Sequence, residues 1–311
     1  MKETKKWALP EYEIEFRKGV VSEYLKYGSV DALMQANHYD IPMSEMSIHR
    51  IISDWGIIKS AGPNGPFLET ISFFVKLAEK KVPLEALYTR MPSSFTTAAI
   101  SLHRSYRNLK ENVKRKLEER DLRRVATALV ITREEDPKSV LVGFDVSPRK
   151  ELGKPYGSVS VPMGFSKRTE ARRNSMLRVL QQEVFMEKVI ERAFPYEVLP
   201  ESPKPFMYVD IADIRVAVYS IALPKTLVGA QSFSSHRLKK HQFLSLDEAA
   251  LFGKSHVFRV GLSEIFEGYQ SFLKAKEEQK SFSTLYIRSW LNTQLEDFIL
   301  TTEGLQPQPA V

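Results

Sequence analysis

Gly164, Glu170, Arg178 and Glu183 are spaced as G-x5-E-x7-R-x4-E, in a stretch that opens with Pro162-Met163-Gly164 and runs on to Met186. Carboxylates one helical turn apart share a face, and hard carboxylate oxygens on one face can hold a divalent cation. Glu183 is the first candidate for that chemistry. Glu187 follows one turn later, and Glu170 stands in the loop ahead. If such a site is active, these three are its candidate catalytic carboxylates, with Glu183 and Glu187 as its metal ligands. If it is not, no cofactor is expected.

The same stretch carries positive charge. Lys167, Arg168, Arg172 and Arg173 crowd the start of the expected helix, and Arg178 lies further along it. Ammonium and guanidinium groups contact phosphate oxygens without a metal, so these five are candidate ligand-binding residues. The competing explanation is a solvated helix face. His236 and His241 fall in a basic run with no carboxylate beside them and read as solvated loop residues. No P-loop, G-x-S-x-G or H-E-x-x-H pattern occurs.

The elements that must position these residues begin with β-rich runs at 125–132 and 139–144, separated by a turn at 134–137. An alternating run at 158–161 leads into Pro162, and the helix that carries Arg178 and Glu183 starts at about Glu170. Strands follow at 206–211 and 216–223. Ser245 caps a short acidic helix, and a long helix spans 262–278. Leu285, Ile287, Trp290, Leu291 and Leu295 suggest one more helix over 282–300, and the tail from Thr301 reads as disordered.

In this order of elements, Arg124 to about Lys274 resembles the Nudix family, whose box is written G-x5-E-x7-R-E-U-x-E-E-x-G-U with U apolar. The resemblance covers about half the chain. It implies an α/β/α sandwich whose box helix presents carboxylates to magnesium or manganese, the metals polarising a pyrophosphate while water attacks phosphorus. It also implies that Arg178 ties loop to helix. The family's three helix glutamates fall at Val179, Gln182 and Glu183, so only the last is kept, and Phe185 stands where the box closes on glycine. Without that glycine, the helix is expected to continue through Glu187 and Ile190.

Ahead of this region, apolar positions recur at helical spacing over 11–27 and Gly28 offers a stop. Ser29 can cap a second helix to Ala36, and Ser44 a third bearing Ile48, Ile51, Ile52 and Trp55. The plan repeats beyond the Gly62-Pro63-Asn64-Gly65-Pro66 linker: Ser47-Ile48-His49-Arg50 matches Ser101-Leu102-His103-Arg104 after a shift of 54 residues. Two such units resemble tandem helix-turn-helix modules, which place the third helix in the major groove of DNA. Ser47, His49, Arg50, Ser101, His103, Arg104 and Arg107 are the candidate DNA-binding residues. A helical protein-binding module is the alternative. Arg104 to Arg124 contains nine basic residues against four acidic ones, on a helix expected to continue as a connector or coiled-coil seam. That seam leaves a homodimer open.

The 311 residues suggest two or three domains. We divide them into a first helix-turn-helix unit at 1–61, a second with its basic helix at 66–121, a Nudix-like domain at 122–278, and a C-terminal helix and tail at 279–311. The fold class is α+β, an all-helical region followed by an α/β/α sandwich and C-terminal helices. A net charge of +7 permits nucleic acid or phosphorylated ligands. The absence of cysteine excludes disulfides, thiol catalysis and zinc–thiolate sites. No apolar run suggests a signal peptide or membrane span, so the expected location is cytoplasmic, with no membrane partner. The expected function is a transcription regulator that binds double-stranded DNA and senses a nucleotide-derived or phosphorylated small molecule with little or no hydrolysis. In the Nudix-type regulators it resembles, the DNA-binding part follows the Nudix domain, the reverse of the order here. The alternatives are an active Nudix hydrolase of nucleoside diphosphate-linked substrates and a mobile-element accessory protein that binds DNA.

Overall fold

The computed structural model describes residues 10–59, 111, 124–148, 153–212, 214–229 and 232–293. The second helical unit, its basic connecting helix and the C-terminal tail therefore lie outside the described residues, and with them Ser101, His103, Arg104 and Arg107.

Three helices open the described chain: α1 (Glu11–Tyr27), α2 (Val30–Ala36) and α3 (Glu45–Asp54). Local chemistry sets their ends. Gly28 takes φ 81°, a left-handed conformation that favours glycine, and its N–H returns to the Tyr24 carbonyl at 2.7 Å. Ser29 Oγ accepts from the Ala32 N–H at 3.1 Å, and Ser44 Oγ accepts from the Ser47 N–H at 3.3 Å. The connection from α2 to α3 occupies 37–44, longer than the roughly 3–4-residue corner of a compact helix-turn-helix.

The rest is built on a mixed sheet. Its strands are β1 (Arg124–Arg133), β2 (Ser139–Asp145), β3 (Val159–Ser160), β4 (Met163–Ser166), β5 (Met207–Ile211), β6 (Ile214–Leu223), β7 (Leu238–Ser245) and β8 (Leu285–Arg288). The main path is β3-β2-β1-β6-β5-β8, with β4 added on β1 and β7 on β2. At the centre β1 and β6 run parallel in register, Ala128 opposite Val218. The helices are α4 (Arg172–Glu183), α5 (Met186–Ile190), α6 (Leu246–Ser255) and α7 (Leu262–Glu277).

Side chains alternate across a strand, and β1 distributes its residues accordingly. Ala126, Ala128 and Val130 face a core closed by α6 and α7 through Leu246, Ile265, Phe266 and Tyr269. Leu129 and Ile131 face the other core, with Met176, Val179 and Leu180 of α4. Helices on both faces make the expected α/β/α sandwich in an α+β chain. The second core does not stop at α4: Val21 of α1, Leu33 of α2, Ile48 and Ile52 of α3 and Trp55 at its C-cap belong to the same buried cluster. The first helical unit is thus packed onto the sandwich.

Three expectations give way here. The apolar positions at 285–288 form β8, which pairs parallel with β5, instead of part of a helix. A short apolar run satisfies either period, and the open edge of β5 decides for strand. The basic run around His241 is no solvated loop, because β7 begins at Leu238 and pairs antiparallel with β2. The helix carrying Glu183 ends there, and α5 starts separately at Met186. Phe185 ends the helix by a route that glycine would not use. Its ring is fully buried against Phe194 and Phe233, both at 6.0 Å between centroids. The backbone around it pairs with Ser234, whose N–H donates to the Val184 carbonyl at 2.7 Å. That pairing takes Val184 and Phe185 out of helical conformation.

Candidate functional site

Helix α4 is buried from Ser175 to Glu183, as a helix must be when it is covered on both sides. Arg178 explains how. Its guanidinium donates to the Glu170 carboxylate, to the Phe165 carbonyl at 2.9 Å and to the Lys59 carbonyl at 2.8 Å. Glu170 also accepts the Lys167 N–H at 3.2 Å. Arg178 therefore ties loop to helix, as the family resemblance implied, and also ties the first helical unit to both. Gln181 repeats the stitch: its amide donates to the Gly56 carbonyl at 2.8 Å and its oxygen accepts the Ile58 N–H at 3.0 Å. Further on, Trp55 Nε1 donates to the Ile190 carbonyl at 3.2 Å while Arg192 stacks on its ring at 3.6 Å.

At the C-terminal end of α4, Glu183 meets residues from several other segments. Arg237 approaches its carboxylate at 3.5 Å and the Ser235 hydroxyl at 3.4 Å. His241 Nε2 lies 2.8 Å from its carbonyl. Beside it is Asp145, at the end of β2 and 2% exposed. Asp145 pairs with Lys154 at 2.8 Å, accepts from the Ser147 N–H at 2.8 Å, and has Arg259 at 3.9 Å. Burial raises the pKa of Glu183, opposed by Arg237 and Lys154. Burial lowers that of Lys154 to about 8, assisted by Arg259 and opposed by Asp145. Burial likewise lowers the His241 pKa.

The carboxylates named from the sequence are not brought together. Glu170 is committed to Arg178, and Glu187 is exposed in the first turn of α5, its N–H on Ser234 Oγ at 2.8 Å. The break after Glu183 is what separates them. Val179 lies under Gly164 in the core, 1% exposed. Gln182 is neutral. Among the described residues, no group of three or more His, Asp or Glu is arranged to hold a metal ion. Glu183 and the neighbouring Asp145 are both engaged by cations, Arg237 on the first and Lys154 on the second, so this donor set does not fit magnesium or manganese, and no step is routed through either.

The basic candidates separate as well. Lys167, Arg168 and Arg172 are exposed and Arg173 half-buried, at the opposite end of α4 from Glu183. Of the DNA candidates, Ser47 and Arg50 are exposed on α3, whereas His49 is half-buried with Nδ1 enclosed and no hydrogen-bond partner. His236 has the same condition at Nε2, and burial lowers its pKa. The residues not foreseen are Asp145, Lys154, Ser235, Arg237 and Arg259. Only the basic character of 236–241 hinted at any of them.

No family model matches the chain, and no curated protein matches it. Among solved structures it is similar to a Nudix hydrolase from Nitrosomonas europaea, at 12% identity over 53% of this chain and 79% of that one, TM-score 0.35. It is similar to an ADP-ribose pyrophosphatase from Streptococcus suis, at 14% identity over 52% and 98%, TM-score 0.33. A third is a bifunctional NMN adenylyltransferase/ADP-ribose pyrophosphatase from Francisella tularensis, at 15% identity over 55% and 47%, TM-score 0.34.

Proposed function

We propose that this chain is a DNA-binding regulator whose Nudix-like sandwich binds a nucleotide-derived or phosphorylated small molecule and does not hydrolyse it at enzymatic rates. One observation carries the second half of this reading: the last carboxylate of α4 is held by Arg237 while Arg178 and Gln181 lock the same helix under the first helical unit. A helix so enclosed serves as a joint between two parts of a molecule. A metal-loaded catalytic face would need several carboxylates facing an open cleft, and its place is taken by Val179, Gln182 and an ion pair.

The DNA half is supported by the repeated Ser-Ile/Leu-His-Arg motif and by the basic run from Arg104 to Arg124. Exposed Arg50 on the third helix suits contact with a duplex. No helix among the described residues is long and apolar enough to cross a membrane.

Two measurements test the reading. Purified protein with magnesium or manganese should leave a panel of nucleoside diphosphate derivatives intact; turnover at typical enzymatic rates, abolished by Glu183→Gln, would refute it. Duplex binding should weaken steeply with salt as phosphate contacts release counterions, and the pair Arg50→Ala and Arg104→Ala should lose sequence preference before affinity. Absence of binding to any duplex at low salt would end the DNA half.

A further inference from the structure

We propose that Lys154, Arg237 and Arg259, converging on Asp145 and Glu183 at the C-terminal end of α4, form a metal-free receptor for the phosphate group of a small ligand. This rests on the ligand-binding reading above and assigns it a place different from the basic cluster at the start of α4.

Three cations meet two carboxylates here, so the cluster holds an excess of positive charge. Both arginines are loosely engaged. Arg237 stands 3.5 Å from Glu183 and Arg259 3.9 Å from Asp145, each beyond the roughly 2.7–2.9 Å of a charge-assisted hydrogen bond. The Nε of Arg259 is enclosed without any hydrogen-bond partner. A guanidinium offers five donors in a planar fork that matches phosphate oxygens, and an enclosed donor left unmet is costly unless something accepts from it. The Ser235 hydroxyl, already turned toward Glu183, adds a neutral group at the same place.

The two carboxylates would repel an anion if they were bare. Asp145 is answered by Lys154 and by the Ser147 N–H, and Glu183 by Arg237 and Ser235. The arrival of a phosphate lets the arginines exchange long ion pairs for short ones. Of the three cations Arg237 is the most open to solvent, its side chain 33% exposed against 12% for Lys154 and 16% for Arg259.

The test is calorimetric titration of the full chain in EDTA with inorganic phosphate, pyrophosphate and a nucleoside diphosphate, with the unphosphorylated nucleoside as control. Saturable binding of the phosphorylated compounds is expected, and Arg237→Gln or Arg259→Gln should each weaken it about tenfold by removing one charge-assisted hydrogen bond to the phosphate. If Arg259→Gln does not fold, the more exposed Arg237→Gln carries the comparison alone. A site that binds only inorganic phosphate or pyrophosphate identifies the free anion as the ligand; tighter nucleoside diphosphate binding identifies a nucleotide. Three outcomes overturn the proposal: no saturable binding, binding that needs magnesium, or binding unchanged in both variants. Duplex binding is measured on the same samples. Its survival alongside absent phosphate binding sinks this site and leaves DNA recognition standing, while the reverse result does the opposite.

Discussion

Arg178 donates its Nε to the carbonyl of Lys59 at 2.8 Å, joining the end of the first helical unit to the middle of α4. The two residues are 119 positions apart, and the same guanidinium reaches the Phe165 carbonyl and the Glu170 carboxylate. One buried side chain therefore holds the loop, the helix and the unit above them.

Removing it should do more than remove a charge. Arg178→Met leaves the Glu170 carboxylate without its cation and two carbonyls without a donor, which should cost about 3–5 kcal/mol in urea unfolding. Arg178→Lys should recover little of this, since an ammonium cannot span three acceptors fixed in a fork. Limited proteolysis of the variant should cut first between the helical unit and the sandwich. A Met variant as stable as the wild type would show that the joint lies elsewhere.

Phe185 stands where the family pattern closes on glycine, so restoring that glycine is a direct test of what ends α4. Phe185→Gly should cost about 3–5 kcal/mol, the range for deleting a buried aromatic ring, with thermal melting as the readout. A neutral or stabilising outcome would mean that backbone freedom, and not the buried ring and its pairing with Ser234, terminates the helix.

Lys154 gives stability a distinctive dependence on pH. It faces Asp145, Ser147, Arg259 and Glu183, and its pKa in the folded protein is about 8, below the ordinary 10.5. Between those values the unfolded chain holds a proton that the folded one has released, so stability rises with pH through this window and the cost is full below it. Relative to Lys154→Met, the wild type should gain about 2 kcal/mol between about pH 7.5 and 9.5. Equal slopes for the two proteins would refute the buried charge.

Glu183 acts in the opposite direction. Burial raises its folded pKa against the pull of Arg237, Lys154 and Arg259. The folded state then holds its proton beyond the point where the unfolded chain has lost it, so stability declines as pH rises from the ordinary carboxylate range through the raised value. Glu183→Gln should remove that decline and alter stability near neutral pH by no more than about 1 kcal/mol, because the amide keeps an acceptor for Ser235 and Arg237. An unchanged pH profile would place the titration elsewhere.

Much of the fold was legible because its determinants are local. Ser29 and Ser44 cap helices by reaching their own backbone three residues on, and Gly28 ends α1 through its own φ. The near-continuous apolar runs at 125–132 and 216–223 belong to central strands covered on both faces. The candidate site was less legible. The family resemblance placed Arg178 between loop and helix, which one stretch of chain can encode, but the spacing offered Glu170 as a catalytic carboxylate, whereas it is the partner of Arg178. The spacing also misplaced Glu187, since the break after Glu183 is imposed by Ser234, 47 positions beyond Glu187. The strand at 285–288 was missed for a related reason: so short a run satisfies either period, and only the free edge of β5 distinguishes them.

From the sequence alone follow the loss of two box carboxylates, at Val179 and Gln182, the capped helices ahead of the box, and the order of most strands; each depends on residue identity or on neighbours a few positions away. Tertiary structure alone decided what Glu183 became. Asp145, Lys154, Arg237 and Arg259 come from separate segments with no shared period, and their attraction and their burial cost exist only where folding places them side by side in a medium that screens charge poorly.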